Sequence, residues 1–231
     1  MLIAFSLALL VGSYILGSVP SGLLIVKLST GKDIRKVESG RTGGTNAMRA
    51  AGFWAGLGTA IFDMLKSAVC VWLARLIMPG AYWVHILAPV MAIIGHNYSV
   101  FLVERGEDGK IRLRGGAGGG PTAGGAFGLW LPSLLFIAPA GALILYFVGY
   151  ASVATLSIPL VAILIFLYRA WIGVSPWQYV LYGVIAELVV IWALRPNIAR
   201  LFNGSERLVG LRAKRRRTKN DYSSSSSSPS S

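Results

Sequence analysis

Leu2 to Val26 is a run of 25 residues without a single charged side chain. As a helix rising 1.5 Å per residue it reaches about 37 Å, enough to cross a hydrocarbon core of about 30 Å. A secretory signal has a basic n-region and an apolar stretch of only about 7–15 residues. Neither fits here, so the run is expected to be a retained first transmembrane helix. Further apolar stretches follow at about Gly52–Met78, Tyr82–Val103, Thr122–Leu131, Ser133–Val148, Val153–Trp171 and Trp177–Leu194. Pro132, Pro139 and the Gly149–Ser152 segment divide what would otherwise be one overlong run. The expectation is an all-α polytopic membrane protein of about seven transmembrane helices joined by glycine-rich loops.

Composition supports that class. Charged residues make up 13% of the chain and hydrophobic ones 55%, whereas a soluble domain carries about 25% charged residues. Lys and Arg number 22 against 9 acidic residues. In a soluble protein such an excess points to nucleic acid. Here the basic side chains sit between the apolar runs and in the tail, as cytoplasmic loops facing anionic lipid do. Lys27, Lys32, Arg35, Lys36, Arg41 and Arg49 mark one loop; Arg105, Lys110, Arg112 and Arg114 mark another; Arg195 onward marks a third. Seven spans place all three in the cytoplasm and the N-terminus outside, and five spans keep the same sidedness. Residues 1–211 then form the membrane domain. Residues 212–231, basic and then serine-rich, are expected to be a disordered cytoplasmic tail.

Two polar stretches have the residue types that hold phosphate. The first, Glu38 to Arg49, contains Ser39, Gly40, Gly43, Gly44, Thr45 and Asn46 together with Arg41 and Arg49. Glycines let successive backbone N–H groups converge on an anion, hydroxyl and amide groups add donors, and arginines add charge. A helix beginning near Asn46 turns its positive end to the same point. The second, Arg114 to Thr122, holds Gly115, Gly116, Gly118, Gly119 and Gly120 and leads into an apolar helix. It matches neither nucleotide-binding glycine pattern, and no βαβ unit surrounds it.

Charged residues inside spans are costly and face polar interiors. Asp63 and Lys66, three apart, share a helix face, as a functional or a self-neutralising pair. Glu187 in the last span has no sequence neighbour of opposite charge. His85 and His96 are the two histidines; neither is followed five residues later by an aspartate, and a hydrogen-bonded structural role is expected for His96. Cys70, the one cysteine, permits no internal disulfide and reads as a buried small hydrophobe.

These residues together resemble the bacterial membrane acyltransferases that acylate glycerol 3-phosphate from acyl phosphate. Gly17-Ser18-Val19-Pro20-Ser21-Gly22 is similar to that family's opening signature. Asp33-Ile34-Arg35, Ser39-Gly40, Gly43, Thr45-Asn46 and Arg49 resemble its first loop motif. Asp63, Leu65, Lys66, Gly95-His96-Asn97 and Phe101 match the next two helices, and Gly115-Gly116 with Gly118 resembles the second loop motif. Asn197-Ile198, Arg200-Leu201 and Gly204 with Glu206 resemble the C-terminal motif, and Ser152 falls at a serine-bearing turn. The chain departs from the pattern at Ala117 (for Lys), Pro121 (for Thr), Arg41 (for Asn) and Leu194 (for His), with about ten residues inserted near Glu104–Arg114. Arg41, Arg112 and Arg114 are the candidates to replace the lysine's charge.

The resemblance implies transfer of a fatty acyl group from acyl phosphate to glycerol 3-phosphate, giving lysophosphatidic acid and phosphate for phospholipid synthesis, in the cell membrane and without metal or organic cofactor. It implies catalytic roles for Ser39, Asn46, Arg49, Asn197 and Glu206. It implies phosphate or substrate contacts for Gly43, Gly44, Thr45, Lys66, Gly115, Gly116, Gly118, Ser152 and Arg200. Two other classes stay open: a catalytically impaired, lipid-phosphate-binding relative, and a small transporter.

Overall fold

A computed structural model describes residues 2–106, 108–210, 212 and 213. Nearly all of the predicted tail, from 214 onward, lies outside them. Helices dominate in the order α1 (Leu2–Ser18), α2 (Ser21–Thr30), α3 (Gly44–Ala51), α4 (Phe53–Ile77), α5 (Tyr82–Asn97), α6 (Gly119–Leu129), α7 (Leu134–Phe147), α8 (Ala151–Trp171) and α9 (Gln178–Phe202). Three stretches are long and apolar enough to cross a membrane: Leu2–Thr30, Ala151–Trp171 and Gln178–Phe202. Large apolar side chains lie exposed along the outside, among them Leu76, Leu135, Phe147 and Trp171. That is the surface of a protein solvated by lipid.

The predicted first helix is broken in two. Pro20 has no N–H to continue the ladder, and the chain steps sideways between α1 and α2. The break leaves Ser18 and Val19 carbonyls without helical partners. Ser99 Oγ donates to Ser18 O at 2.5 Å and Lys66 Nζ donates to Val19 O at 3.1 Å. The proline at this point is therefore matched by two donors from other elements.

Close helix approach rests on glycine. On α6, Gly120, Gly124 and Gly128 recur every four residues, so they form one stripe. A Cβ on Gly124 would lie 1.9 Å from Met64 O of α4, and one on Gly128 would lie 2.8 Å from Val71 Cβ. Gly17 of α1 and Gly95 of α5 do the same for that pair, each against the other helix's backbone. Without a hydrophobic drive between helices in lipid, such contacts supply the association. The main core packs Ile86, Val90 and Ile93 of α5 against Phe166 of α8 and Tyr179, Tyr182 and Ala186 of α9.

Helix α6 is short because it starts deep. Gly120 sits on Asp63, ten residues into α4, or about 15 Å from its start. The segment leading to α6 thus dips into the depth of the bundle. The apolar run expected to continue to Val103 stops at Asn97, where Ser99 turns to meet Ser18. The inserted residues form a two-stranded antiparallel hairpin, β1 (Val103–Arg105) with β2 (Ile111–Leu113), pairing Glu104 with Arg112. This is the one departure from a wholly helical architecture among the described residues.

Candidate active site

The loops before α3 and α6 and the segment after α9 gather at one end of the bundle. Thr42 N–H donates to Gly115 O, joining the first two. Residue 150 bridges to Leu208, and Val209 N–H donates to Gly149 O, bringing the C-terminal segment under the α7–α8 turn. Between them lies a cavity of about 270 Å³.

Two helix starts open on it. Gly43, in extended backbone, precedes α3, and Gly44 and Thr45 form its first turn. A Cβ on Gly43 would meet nothing within 4 Å, so its side toward the cavity is open. Gly118, at φ 93°, precedes α6, with Gly119 and Gly120 following. That left-handed conformation needs glycine. Helix starts leave backbone N–H groups unpaired and carry partial positive charge. Two of them face one cavity, an arrangement whose chemistry suits an anion.

Arg41 bridges three parts of the chain. Its guanidinium donates to Gly116 O at 2.8 Å, Ala193 O at 2.7 Å and Asn197 Oδ1 at 3.1 Å. All three acceptors are neutral, so among the described residues the charge is fixed beside the cavity without a carboxylate partner. Burial pulls the Arg41 guanidinium below its ordinary range, yet an arginine keeps its proton in such a site. Asn197 passes the link on: its Nδ2 donates to Glu206 Oε1 at 2.9 Å. Glu206 also accepts from Ser152 Oγ at 3.3 Å and from Arg200 Nε at 3.0 Å. Arg49 lines the cavity and, among the described residues, makes no side-chain hydrogen bond or ion pair. Burial lowers its pKa as well.

Of the residues singled out by sequence, Ser39, Gly43, Gly44, Thr45, Asn46 and Arg49 reach the cavity, as do Gly118, Ser152, Asn197 and Glu206. Four do not line it. Arg200 stands behind Glu206 as its ion-pair partner. Gly115 and Gly116 pack on the end of α5: a Cβ on Gly115 would lie 2.1 Å from His96 O, and Gly116 N–H already donates to that oxygen. These two pack as spacers, not as the anion contacts expected of them, and the first glycine of this loop to line the cavity is Gly118. Lys66 is saturated inside the bundle, with Asp63 Oδ1 at 2.9 Å, His96 Nδ1 at 3.0 Å and Val19 O at 3.1 Å. Asn46 reaches the cavity, but its Nδ2 lies within hydrogen-bond distance of Ile34, Val37 and Arg41 carbonyls and holds the first loop closed.

Other wall residues went unassigned by sequence. Asp63 and His96 face the cavity from within the spans, and Arg207 faces it from the C-terminal segment. Arg41 was visible as a charge of the first loop and as a candidate for the missing lysine's role, with no sign of its reach to α9. On the far side the wall turns apolar, through Gly141 and Leu145 of α7 and Ala154 and Ile158 of α8. No group of three or more metal-ligating side chains occurs among the described residues.

Comparison with known proteins assigns this arrangement. Residues 7–204 match the family model described as glycerol-3-phosphate acyltransferase. A glycerol-3-phosphate acyltransferase of Rubrobacter xylanophilus is 37% identical over 200 residues, covering 87% of this chain and 93% of its own. One of Thermus thermophilus is 34% identical, covering 88% and 95% respectively. The crystal structure of PlsY (YgiH), an integral membrane glycerol 3-phosphate acyltransferase, in its glycerol 3-phosphate form superposes with a TM-score of 0.75 at 29% identity, over 89% of this chain and 96% of that one. Its lysophosphatidic acid form gives 0.72 at 27% identity, over 89% and 95%. The chain is an integral membrane protein and belongs to the glycerol-3-phosphate acyltransferase family.

Proposed function

We propose that the cavity moves a fatty acyl group from acyl phosphate to glycerol 3-phosphate. The observation that carries this is the convergence of two helix starts and the carboxylate-free Arg41 and Arg49 on one cavity whose opposite wall is apolar. Two phosphate-bearing substrates meet the polar half, and an acyl chain fits the side between α7 and α8. A hydroxyl oxygen of glycerol 3-phosphate attacks the acyl carbonyl carbon. The carbonyl–oxygen bond to phosphate breaks, the hydroxyl proton passes to the departing phosphate, and lysophosphatidic acid remains. Acyl phosphate is already activated, so positioning and charge stabilisation are the main tasks left to the protein.

Arg49, Gly43, Gly44 and Thr45 hold one phosphate, and Gly118 to Gly120 with Arg41 hold the other. Ser39 adds a hydroxyl at the first. Asn197, Ser152, Glu206 and Arg200 orient Arg41 and the C-terminal segment, and Asn46 fixes the loop. Purified protein given acyl phosphate and glycerol 3-phosphate should release phosphate in step with lysophosphatidic acid. Phosphate release unaffected by glycerol 3-phosphate overturns the reading.

We further propose seven passes through the cell inner membrane, with α1–α2 and α3-independent helices α4 to α9 as the passes and the cavity end in the cytoplasm. The membrane domain runs from residue 1 to 211. Cysteines placed at Lys32, Arg112 and Arg212 should resist an impermeant thiol reagent in intact cells, and labelling at one site alone would break this topology.

A further inference from the structure

We propose that His96 is a further catalytic residue of this cavity, a neutral imidazole that donates a hydrogen bond from Nε2 to a phosphate oxygen. The inference rests on the transfer reading above and assigns a role to a residue outside its loops.

The geometry begins with Lys66. Its ammonium has three protons and no lone pair, and the three are directed at Asp63 Oδ1, Val19 O and His96 Nδ1. Lys66 cannot accept from the imidazole, so His96 Nδ1 must accept from it. Asp63 Oδ1 lies farther from Nδ1, at 3.4 Å, and already takes Ser21 Oγ at 2.7 Å and Lys66 at 2.9 Å. A second proton on the ring would set two cations 3.0 Å apart, which like charges oppose. Asp63 and Lys66 neutralise each other, and the ring stays neutral. The proton therefore sits on Nε2.

With Nδ1 turned to Lys66, the ring edge that carries Nε2 faces Gly116, beside Ala117 of the cavity wall. His96 lines the cavity although its residue is only 5% exposed. A Cβ on Gly116 would lie 1.8 Å from Nε2, so glycine there leaves room for the ring edge. Among the described residues Nε2 has no hydrogen-bond partner. A donor kept in one tautomer by a closed network, and left unpaired at a cavity wall, is fitted to a ligand's acceptor. The neighbouring Gly118–Gly120 helix start makes phosphate the acceptor class.

The test uses the two nitrogens separately. A glutamine amide reaches about where Nε2 lies, an asparagine amide about where Nδ1 lies. His96→Gln should keep most of kcat, whereas His96→Asn should keep the Lys66 contact and lose about 100-fold in kcat/KM, as loss of one aimed donor does. His96→Asn equal to or better than His96→Gln overturns the proposal. A second measurement covers the case in which either variant fails to fold. With two histidines in the chain, ¹⁵N-imidazole spectra of the wild type resolve both rings, and His85→Gln assigns them. His96 should show the Nε2–H tautomer, and its Nε2–H proton should move downfield on adding inorganic phosphate or glycerol 3-phosphate. A response to inorganic phosphate alone places the donor at the leaving phosphate, and a response needing glycerol 3-phosphate places it at the acceptor. An Nδ1–H tautomer, or no response to either, overturns the proposal. Should the wild type bind phosphate at His96 yet transfer no acyl group, the transfer reading falls and the donor assignment stands.

Discussion

The loop before α3 and the loop before α6 look alike as strings of glycine, yet the two use glycine for opposite ends. Gly43 stands in open space at the cavity, while Gly115 and Gly116 are pressed on His96 and Asn97 so tightly that no side chain fits. In the first loop glycine exposes backbone to a ligand; in the second it lets one backbone lie on another, and only from Gly118 onward does it face the cavity. Glycine content alone marks that backbone must come close to something, without saying to what.

The contrast can be broken most severely at Gly116. Gly116→Ala should destabilise the protein by at least about 1–3 kcal/mol, the usual result of overpacking, and abolish transfer, while Gly43→Ala should leave thermal stability unchanged and only raise KM. Equal loss of melting temperature in detergent for both variants would erase the distinction between the loops.

Next in size are the arginines. Arg41→Ala removes charge-assisted hydrogen bonds worth about 1.5–3 kcal/mol each, so kcat/KM should fall by about one to two decades together with thermal stability. Arg49→Ala should lower kcat/KM at unchanged stability, since Arg49 makes no side-chain hydrogen bond or ion pair among the described residues. A loss of stability confined to Arg49→Ala would reverse the two roles.

Ala117→Lys has a smaller expected effect. It puts an ammonium next to the Arg41–Gly116 contact, so activity should be kept or raised, and Arg41→Ala should cost less in that background. If the wild type is active and Ala117→Lys abolishes transfer, the placing of residue 117 at the anion site is wrong. If both are inactive, more than one contact has been lost and binding without turnover is what remains.

The smallest effect lies where the two loops touch at the surface. Arg35 pairs with Asp33 at 2.7 Å and with Glu104 beyond α5 at 3.2 Å. The hydrogen bond from Arg35 holds the Asp33 carboxyl down at about 2. A depressed carboxylate stabilises the fold above its unfolded pKa of about 3.9 and loses that stabilisation as pH falls through the folded value. Asp33→Asn should therefore cost about 0.2–1 kcal/mol at neutral pH, with the difference from wild type closing between about pH 4 and 2. A difference independent of pH would show that the pair adds nothing.

The class of the fold was legible because long apolar runs have few other solutions in lipid, and the first loop was legible because its donors are adjacent in sequence. Three things were not. The break at Pro20 looked harmless within an uncharged run, because its two partners, Lys66 and Ser99, are supplied from α4 and from beyond α5. Lys66 read as a substrate contact through the family resemblance, while the residues alone left a self-neutralising pair with Asp63 open; its three protons are placed on Asp63, Val19 and His96. Arg41 read as a departure from a pattern because its acceptors, Ala193 and Asn197, are more than 150 residues away. Local reading finds groups that act with their neighbours and misses those whose partners only tertiary packing brings near.

The clasp made by Arg41 also carries a meaning in time. The residue leaves the ribosome long before the oxygens of Ala193 and Asn197 that hold it, 152 and 156 residues later. A growing chain that has inserted everything up to α8 possesses both helix starts that open on the cavity, but its Arg41 guanidinium has only the Gly116 oxygen of its three acceptors. The clasp is therefore complete only with α9 in place. A polypeptide ending before Ala193 would lack two of the three acceptors of Arg41 and, with them, Asn197, Glu206 and Arg207 of the cavity wall.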